Sequence, residues 1–96
     1  MPLTMIRSFK HKGLRKLWVD DDYAGIPGSH APRILRILDL LEAATKPRDM
    51  ALPGYGFHPL KGARKGEFAV SVTGNWRITF EFDNADATNV NLEDYH

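Results

Sequence analysis

Two alternating segments joined by a pair of small residues constrain this chain more than any other feature. Phe68, Val70 and Val72 alternate with Glu67, Ala69, Ser71 and Thr73; Trp76, Ile78, Phe80 and Phe82 alternate with Arg77, Thr79 and Glu81. A period of two puts each series on one face of a strand. Between them stands Gly74-Asn75. A two-residue loop with glycine first suits a type II′ hairpin turn, whose twist matches that of paired strands. Asp83 to Asp86 reads as the next turn, and Val90 and Leu92 share one face of a last strand. The second half of the chain is therefore a three-strand antiparallel meander.

The first half has a different period. Thr4 to Phe9 alternates loosely, as a first strand would. His11 to Val19 spaces Leu14, Leu17 and Trp18 along one side of a short helix. Asp20 to Gly28 is a break, with three acids followed by Gly25, Pro27 and Gly28. Ser29 stands where an N-cap belongs and Pro32 in the first turn, where proline is tolerated. From Arg33 to Ala44, Ile34, Ile37, Leu38 and Leu41 form an apolar stripe while Arg36, Asp39 and Glu42 face water. Pro47 closes that helix, because the residue before a proline avoids helical geometry. Asp49 to Phe57 is a loop.

Helices followed by a meander imply one α+β domain over residues 1–96, with the helices on one face of a small antiparallel sheet. The Phe68 and Trp76 series meet the helices; the other face carries Arg77 and stays open. At 43% hydrophobic and 10% aromatic, the 96 residues carry enough apolar surface for a core. There is no cysteine, which excludes disulfides and thiolate metal sites. No apolar run is long enough to span a bilayer, and Met1 to Met5 leads to Arg7 and Lys10 rather than to a signal sequence. The expectation is a cytoplasmic protein.

Net charge is only +1, yet the charges are segregated. Arg7, Lys10, Lys12, Arg15 and Lys16 crowd the start, and Lys61, Arg64 and Lys65 form a second basic group. Local positive fields are therefore possible on a nearly neutral molecule. The second basic group follows His58, in the run His58-Pro59-Leu60-Lys61-Gly62-Ala63-Arg64-Lys65-Gly66, and the chain closes on Glu93-Asp94-Tyr95-His96. Two imidazoles, a carboxylate and several cations suit chemistry on a phosphate. His11 and His30 read as surface residues. No close ligand motif supports a metal site from His58, Asp94 and His96, and no cofactor is expected.

Met5-Ile6-Arg7-Ser8-Phe9, Leu60-Lys61-Gly62 with Gly66, Asn75-Trp76-Arg77-Ile78-Thr79-Phe80 and the terminal Asp94-Tyr95-His96 stand in that order along the chain. Together these segments resemble the HigB toxins of the RelE/ParE superfamily. The resemblance runs from Met5 to His96, apart from Asp20 to Ala31, which matches no family pattern. It implies a RelE-like α+β fold and a ribosome-dependent mRNA endonuclease that cuts messages in the decoding site. It also implies a HigA-type helix-turn-helix antitoxin, through which the toxin reaches operator DNA, and it implies no membrane. Carried over residue by residue, the functional set is His58, Lys61, Asp94, Tyr95 and His96. Near-neutral charge is a departure, being low for a protein that works inside a ribosome.

Elementary chemistry assigns roles to that set. RNA brings its own nucleophile, the 2′-hydroxyl, so cleavage needs a base, an acid for the leaving 5′-oxygen, and cations on the phosphoryl oxygens. Lys61 and Arg77 are candidates to clamp the phosphate. His58 and His96 are the candidate acid and base, in an order the sequence leaves open. Asp94 orients an imidazole or shares in proton transfer; Tyr95 meets the 2′-hydroxyl or stacks on an unpaired base. Arg64 and Lys65 hold the RNA backbone. Competing readings are a ParE-like toxin that binds DNA gyrase without cutting RNA, a non-catalytic RNA-binding module, and, for Arg77, a structural pairing with Glu67 or Glu81 across the sheet.

Overall fold

The computed structural model describes residues 6–94. Helix α1 spans Lys12–Asp20 and helix α2 Ala31–Ala43. Strands β1 (His58–Pro59), β2 (Phe68–Thr73), β3 (Trp76–Asp83) and β4 (Asp86–Asp94) form one sheet in the order β1-β2-β3-β4, every neighbouring pair antiparallel. The meander and the α+β class are as expected; β1 makes it a four-strand sheet. Two residues ending in proline leave no readable alternation, which is why His58–Pro59 reads as loop. Of the expected first strand from Thr4 to Phe9, Thr4 and Met5 lie outside the described residues, and Ile6 to Phe9 meets β4 through isolated parallel bridges, Ile6 to Ala87 and Phe9 to Val90.

Helix α1 begins one residue later than its apolar pattern suggests, because His11 caps it: Nδ1 accepts a hydrogen bond from the Leu14 amide at 3.1 Å. His11 is therefore a half-buried structural residue, and burial lowers its pKa, which favours the neutral ring that capping needs. Ser29 does not cap α2. A single 3₁₀ turn at Gly28–His30 runs directly into the helix, and His30 occupies the cap position without a side-chain bond. His30 instead meets Thr73 at 3.2 Å. The unpatterned stretch after α1 turns back over that helix, and Gly13 and Gly25 make the approach possible. A Cβ on Gly13 would lie 2.2 Å from the Gly25 carbonyl oxygen.

The core lies between the helices and one sheet face. Leu14, Leu17, Ile34, Ile37, Leu38 and Leu41 pack with Val70, Val72, Ile78, Phe80, Val90 and Leu92. Fully burying each aliphatic side chain contributes about 1.5–3 kcal/mol. Met50, in the 3₁₀ turn Pro47–Met50, is also buried in this cluster. The following loop is pinned by Arg33 of α2, which donates to Ser71 O at 2.9 Å and Gly54 O at 2.8 Å and lies 4.3 Å above the Tyr55 ring. That clamp delivers the chain to β1.

Gly74 has a positive φ of 31°, as the two-residue turn requires. Two register shifts interrupt the ladders, between Ser71 and Thr73 and between Thr79 and Glu81. The second sheet face departs from expectation. Ala69 and Thr79 on that side are 0% and 1% exposed. The face is covered over its middle by a polar network rather than open.

Candidate active site

Register places the site. His58 pairs with Ala69, Ala69 with Thr79, and Thr79 with Asn91, so these four positions share a row and a face. The adjacent row is Ser71, Arg77 and Glu93. His58 stands two strand spacings, about 10 Å, from Thr79. Its Nδ1 meets the Gly56 carbonyl oxygen at 2.9 Å. A carbonyl only accepts, so Nδ1 carries the proton and Nε2 of the neutral ring is left as the acceptor.

Between β1 and β2 the basic loop is tightly closed. Leu60 N donates to Glu67 O at 2.8 Å, and a 3₁₀ turn at Gly62–Arg64 fills the interior. Gly62 and Gly66 bracket that turn with φ of 66° and 101°, a region that side chains disfavour. The loop thus presents Lys61 and Lys65 outward, both exposed and neither in an ion pair among the described residues. Arg64 turns the other way. Its guanidinium pairs with Glu67, at 2.7 Å, and with both carboxylate oxygens of Glu93, Nη1 at 2.8 Å and Nη2 in close contact. The bond to Glu93 crosses from the loop to the end of β4.

Glu93 gathers the whole polar face. Besides Arg64 it accepts from Thr79 Oγ1 at 2.7 Å, Arg77 Nη2 at 3.2 Å and Asn91 Nδ2 at 3.3 Å. The Arg64 hydrogen bonds, above all, hold its carboxyl at a pKa of about 2, against the opposing effect of burial. Glu67 is lowered as well, chiefly by Arg64, with Lys10 adding its charge. Arg64 is raised in turn by Glu93 and Glu67. Among the described residues, two guanidinium groups and two carboxylates offset one another here, and Lys10, Lys61 and Lys65 add positive charge around them.

The sequence candidates therefore divide. Lys61, Arg64 and Lys65 come together on one loop, and Arg64 ties that loop to the end of β4. Arg77 does pair across the sheet, but with Glu93 rather than Glu67 or Glu81; Glu81 accepts from Asn89 instead. Asp94 pairs with Trp76, one position out of step with Arg77 and Glu93, so it stands on the opposite face. Tyr95 and His96 lie outside the described residues. Glu93 is the residue that sequence reasoning missed. Its signal was its odd-number parity with Asn91, Thr79 and Arg77, masked by the acid beside it.

A cavity of about 720 Å³ adjoins the loop, walled by Pro59, Leu60 and Phe68 and flanked by Lys61 and Lys65. Its size is within the range of ligand pockets, about 300–1,000 Å³. It does not reach Arg77, Thr79 or Glu93, because Pro59 and Phe68 face away from His58 and Ala69. Among the described residues no cluster of three or more His, Cys, Asp or Glu side chains is placed to hold a metal ion. No helix there is long and apolar enough to cross a membrane.

A family model described as the RelE-like toxin of type II toxin-antitoxin system HigB matches residues 7–96. The chain belongs to the HigB-like toxins. Endoribonuclease HigB of Proteus vulgaris is 45% identical over 92 residues, covering 96% of this chain and 100% of that protein. Toxin HigB-1 of Vibrio cholerae serotype O1 is 32% identical over 91 residues, covering 93% and 96% respectively. This HigB-like toxin has the α+β architecture expected of a RelE-like protein. As a type II toxin it is one half of a pair, the other half being an antitoxin.

Proposed function

We propose that this HigB-like toxin is a ribosome-dependent endoribonuclease that cuts mRNA in the decoding site and is neutralised by a HigA-type helix-turn-helix antitoxin, which carries it to operator DNA. The naming of the Proteus relative as an endoribonuclease supports the activity. The observation that carries it is the Arg64–Glu93 bridge, which seats the Lys61–Lys65 loop against the strand that leads into Tyr95 and His96.

In this reading Lys61 meets the scissile phosphate and Lys65 the neighbouring backbone. Exposed lysines that neutralise RNA phosphates release the counterions condensed on the RNA. Nε2 of His58 accepts the 2′-hydroxyl proton, which the tautomer fixed by Gly56 allows, and His96 supplies a proton to the 5′-oxygen. Tyr95 completes the set at the 2′-hydroxyl or a base, while Asp94, on the opposite face at the end of β4, is given no direct part in this reading. Arg77, held at a fixed position in β3 by its pair with Glu93, offers guanidinium donors to the phosphate. Positioned proton transfer contributes about 10²–10⁴-fold.

The test is cleavage of a message on purified, programmed ribosomes, with new 5′ ends mapped. His58→Ala should lose at least about 100-fold in rate with an unchanged melting temperature. Full cleavage by that variant removes His58 from the mechanism. If the chain instead binds DNA gyrase, replacing His58 and His96 together leaves it toxic. Co-expression with the neighbouring reading frame should yield a complex that co-purifies, and separate elution would oppose the antitoxin assignment.

A further inference from the structure

We propose that Glu93 is the positioning residue of this site: it braces the lysine-bearing loop against β4 through Arg64, fixes Arg77 beside it and, together with Glu67, offsets the charge of the two arginines. The inference rests on the nuclease reading.

Five hydrogen bonds from four residues converge on this one carboxylate. A carboxylate offers about four lone-pair sites, so Glu93 has no capacity left to take a proton from substrate. It cannot be the general base, and its work is to hold other groups. Arg64 is equally committed. It uses Nε and Nη2 on Glu67 and both terminal nitrogens on Glu93, four of the five donors of a guanidinium. Arg64 is thus a strut, not the RNA-backbone ligand its place in the basic run implies. Buried Thr79 donates to the same carboxylate at 2.7 Å from the strand between loop and β4. The strut therefore has a fixed footing on the sheet. Without it, nothing else among the described side-chain hydrogen bonds joins the 60–66 loop to β4.

Neutralisation follows from the same contacts. Glu93→Gln keeps the side-chain shape but leaves Arg64 and Arg77 with one negative charge fewer. RNA should then be attracted more strongly yet cut more slowly, a combination that simple loss of folded protein does not produce. The experiment pairs two measurements on Glu93→Gln, Glu93→Asp and wild type. One is binding of a single-stranded RNA oligonucleotide across a salt series; the other is kcat and KM for message cleavage on programmed ribosomes, with folded fraction checked by thermal melting.

The expected result for Glu93→Gln is a salt slope steeper by about 0.7 in log-log terms, KM unchanged or lower, and kcat down roughly 10–100-fold, on the scale of a displaced catalytic group. Glu93→Asp, which keeps the charge, should show the wild-type salt slope and recover part of kcat. Wild-type kcat in folded Glu93→Gln overturns the inference, as does an unchanged salt slope. If Glu93→Gln does not fold at assay temperature, Thr79→Val decides: kcat should fall several-fold at constant salt slope, and wild-type kcat overturns the proposal. Absence of cleavage by the wild-type protein would instead refute the nuclease reading, while the salt-slope comparison still tests charge cancellation by Glu93.

Discussion

The two faces of the sheet are built on opposite logic. On the helix side Ile78 and Phe80 meet aliphatic residues of α1 and α2, and nothing polar is needed. On the other side Thr79 is just as buried, yet what covers it is a lattice of charged hydrogen bonds converging on Glu93. Apolar packing is non-directional and depends on area and volume. A salt-bridge network depends on geometry and protonation, and replacing one member strands another. The first face therefore carries the stability, and the second carries orientation. That division explains why three consecutive residues of β3, Ile78, Thr79 and Phe80, are all buried although the strand alternates.

Three perturbations, ordered by their effect on folding, sharpen the contrast. Phe80→Ala opens the helix-side core and should cost about 3–5 kcal/mol, enough to unfold a domain of this size at moderate denaturant; a urea titration measures it. Gly13→Ala forces a methyl group against the Gly25 backbone. Overpacking of this kind costs about 1–3 kcal/mol, so the same titration should show a smaller shift, and no shift would mean that the loop after α1 moves away freely. Acid should act through the other face. Glu93 titrates near pH 2 when folded, against an ordinary value of 4.5. Its contribution to stability is complete above about pH 4.5 and is lost as pH falls towards 2. Melting temperatures measured across that window should decline in the wild type, and the decline should be shallower in Glu93→Gln.

Legibility in the sequence follows the same line. The hairpin from Phe68 to Phe82 could be read because alternation and turn chemistry agree, and α2 because its stripe and Pro47 agree. Features that depend on contacts distant in sequence could not. His58–Pro59 becomes a strand only because β2 is there to pair with it. His11 becomes a cap through its bond to Leu14, and Arg64 becomes a strut because β4 ends beside it. Parity was the limiting signal for the site. The alternation that puts Val90 and Leu92 on the core face puts Asp94 there too and Glu93 on the other side, but only the pairing with Arg77 and the approach of Arg64 show Glu93 to face the cations. Basic residues in one run were similarly alike on paper, whereas folding separates outward Lys61 and Lys65 from inward Arg64.

The bridges from Ile6 and Phe9 to β4 have a consequence for how this toxin meets other proteins. Arg7 N and Lys10 N donate to Ala87 O and Val90 O, and Val90 N donates to Ser8 O, so the outer rim of β4 is occupied from Ala87 to Val90. At the far rim, β1 offers only two residues, one of them a proline without an amide hydrogen. Over these stretches few backbone groups are left for a foreign strand or a second copy to extend. Recognition of this protein over these stretches therefore falls to its side-chain surfaces, where specificity is encoded.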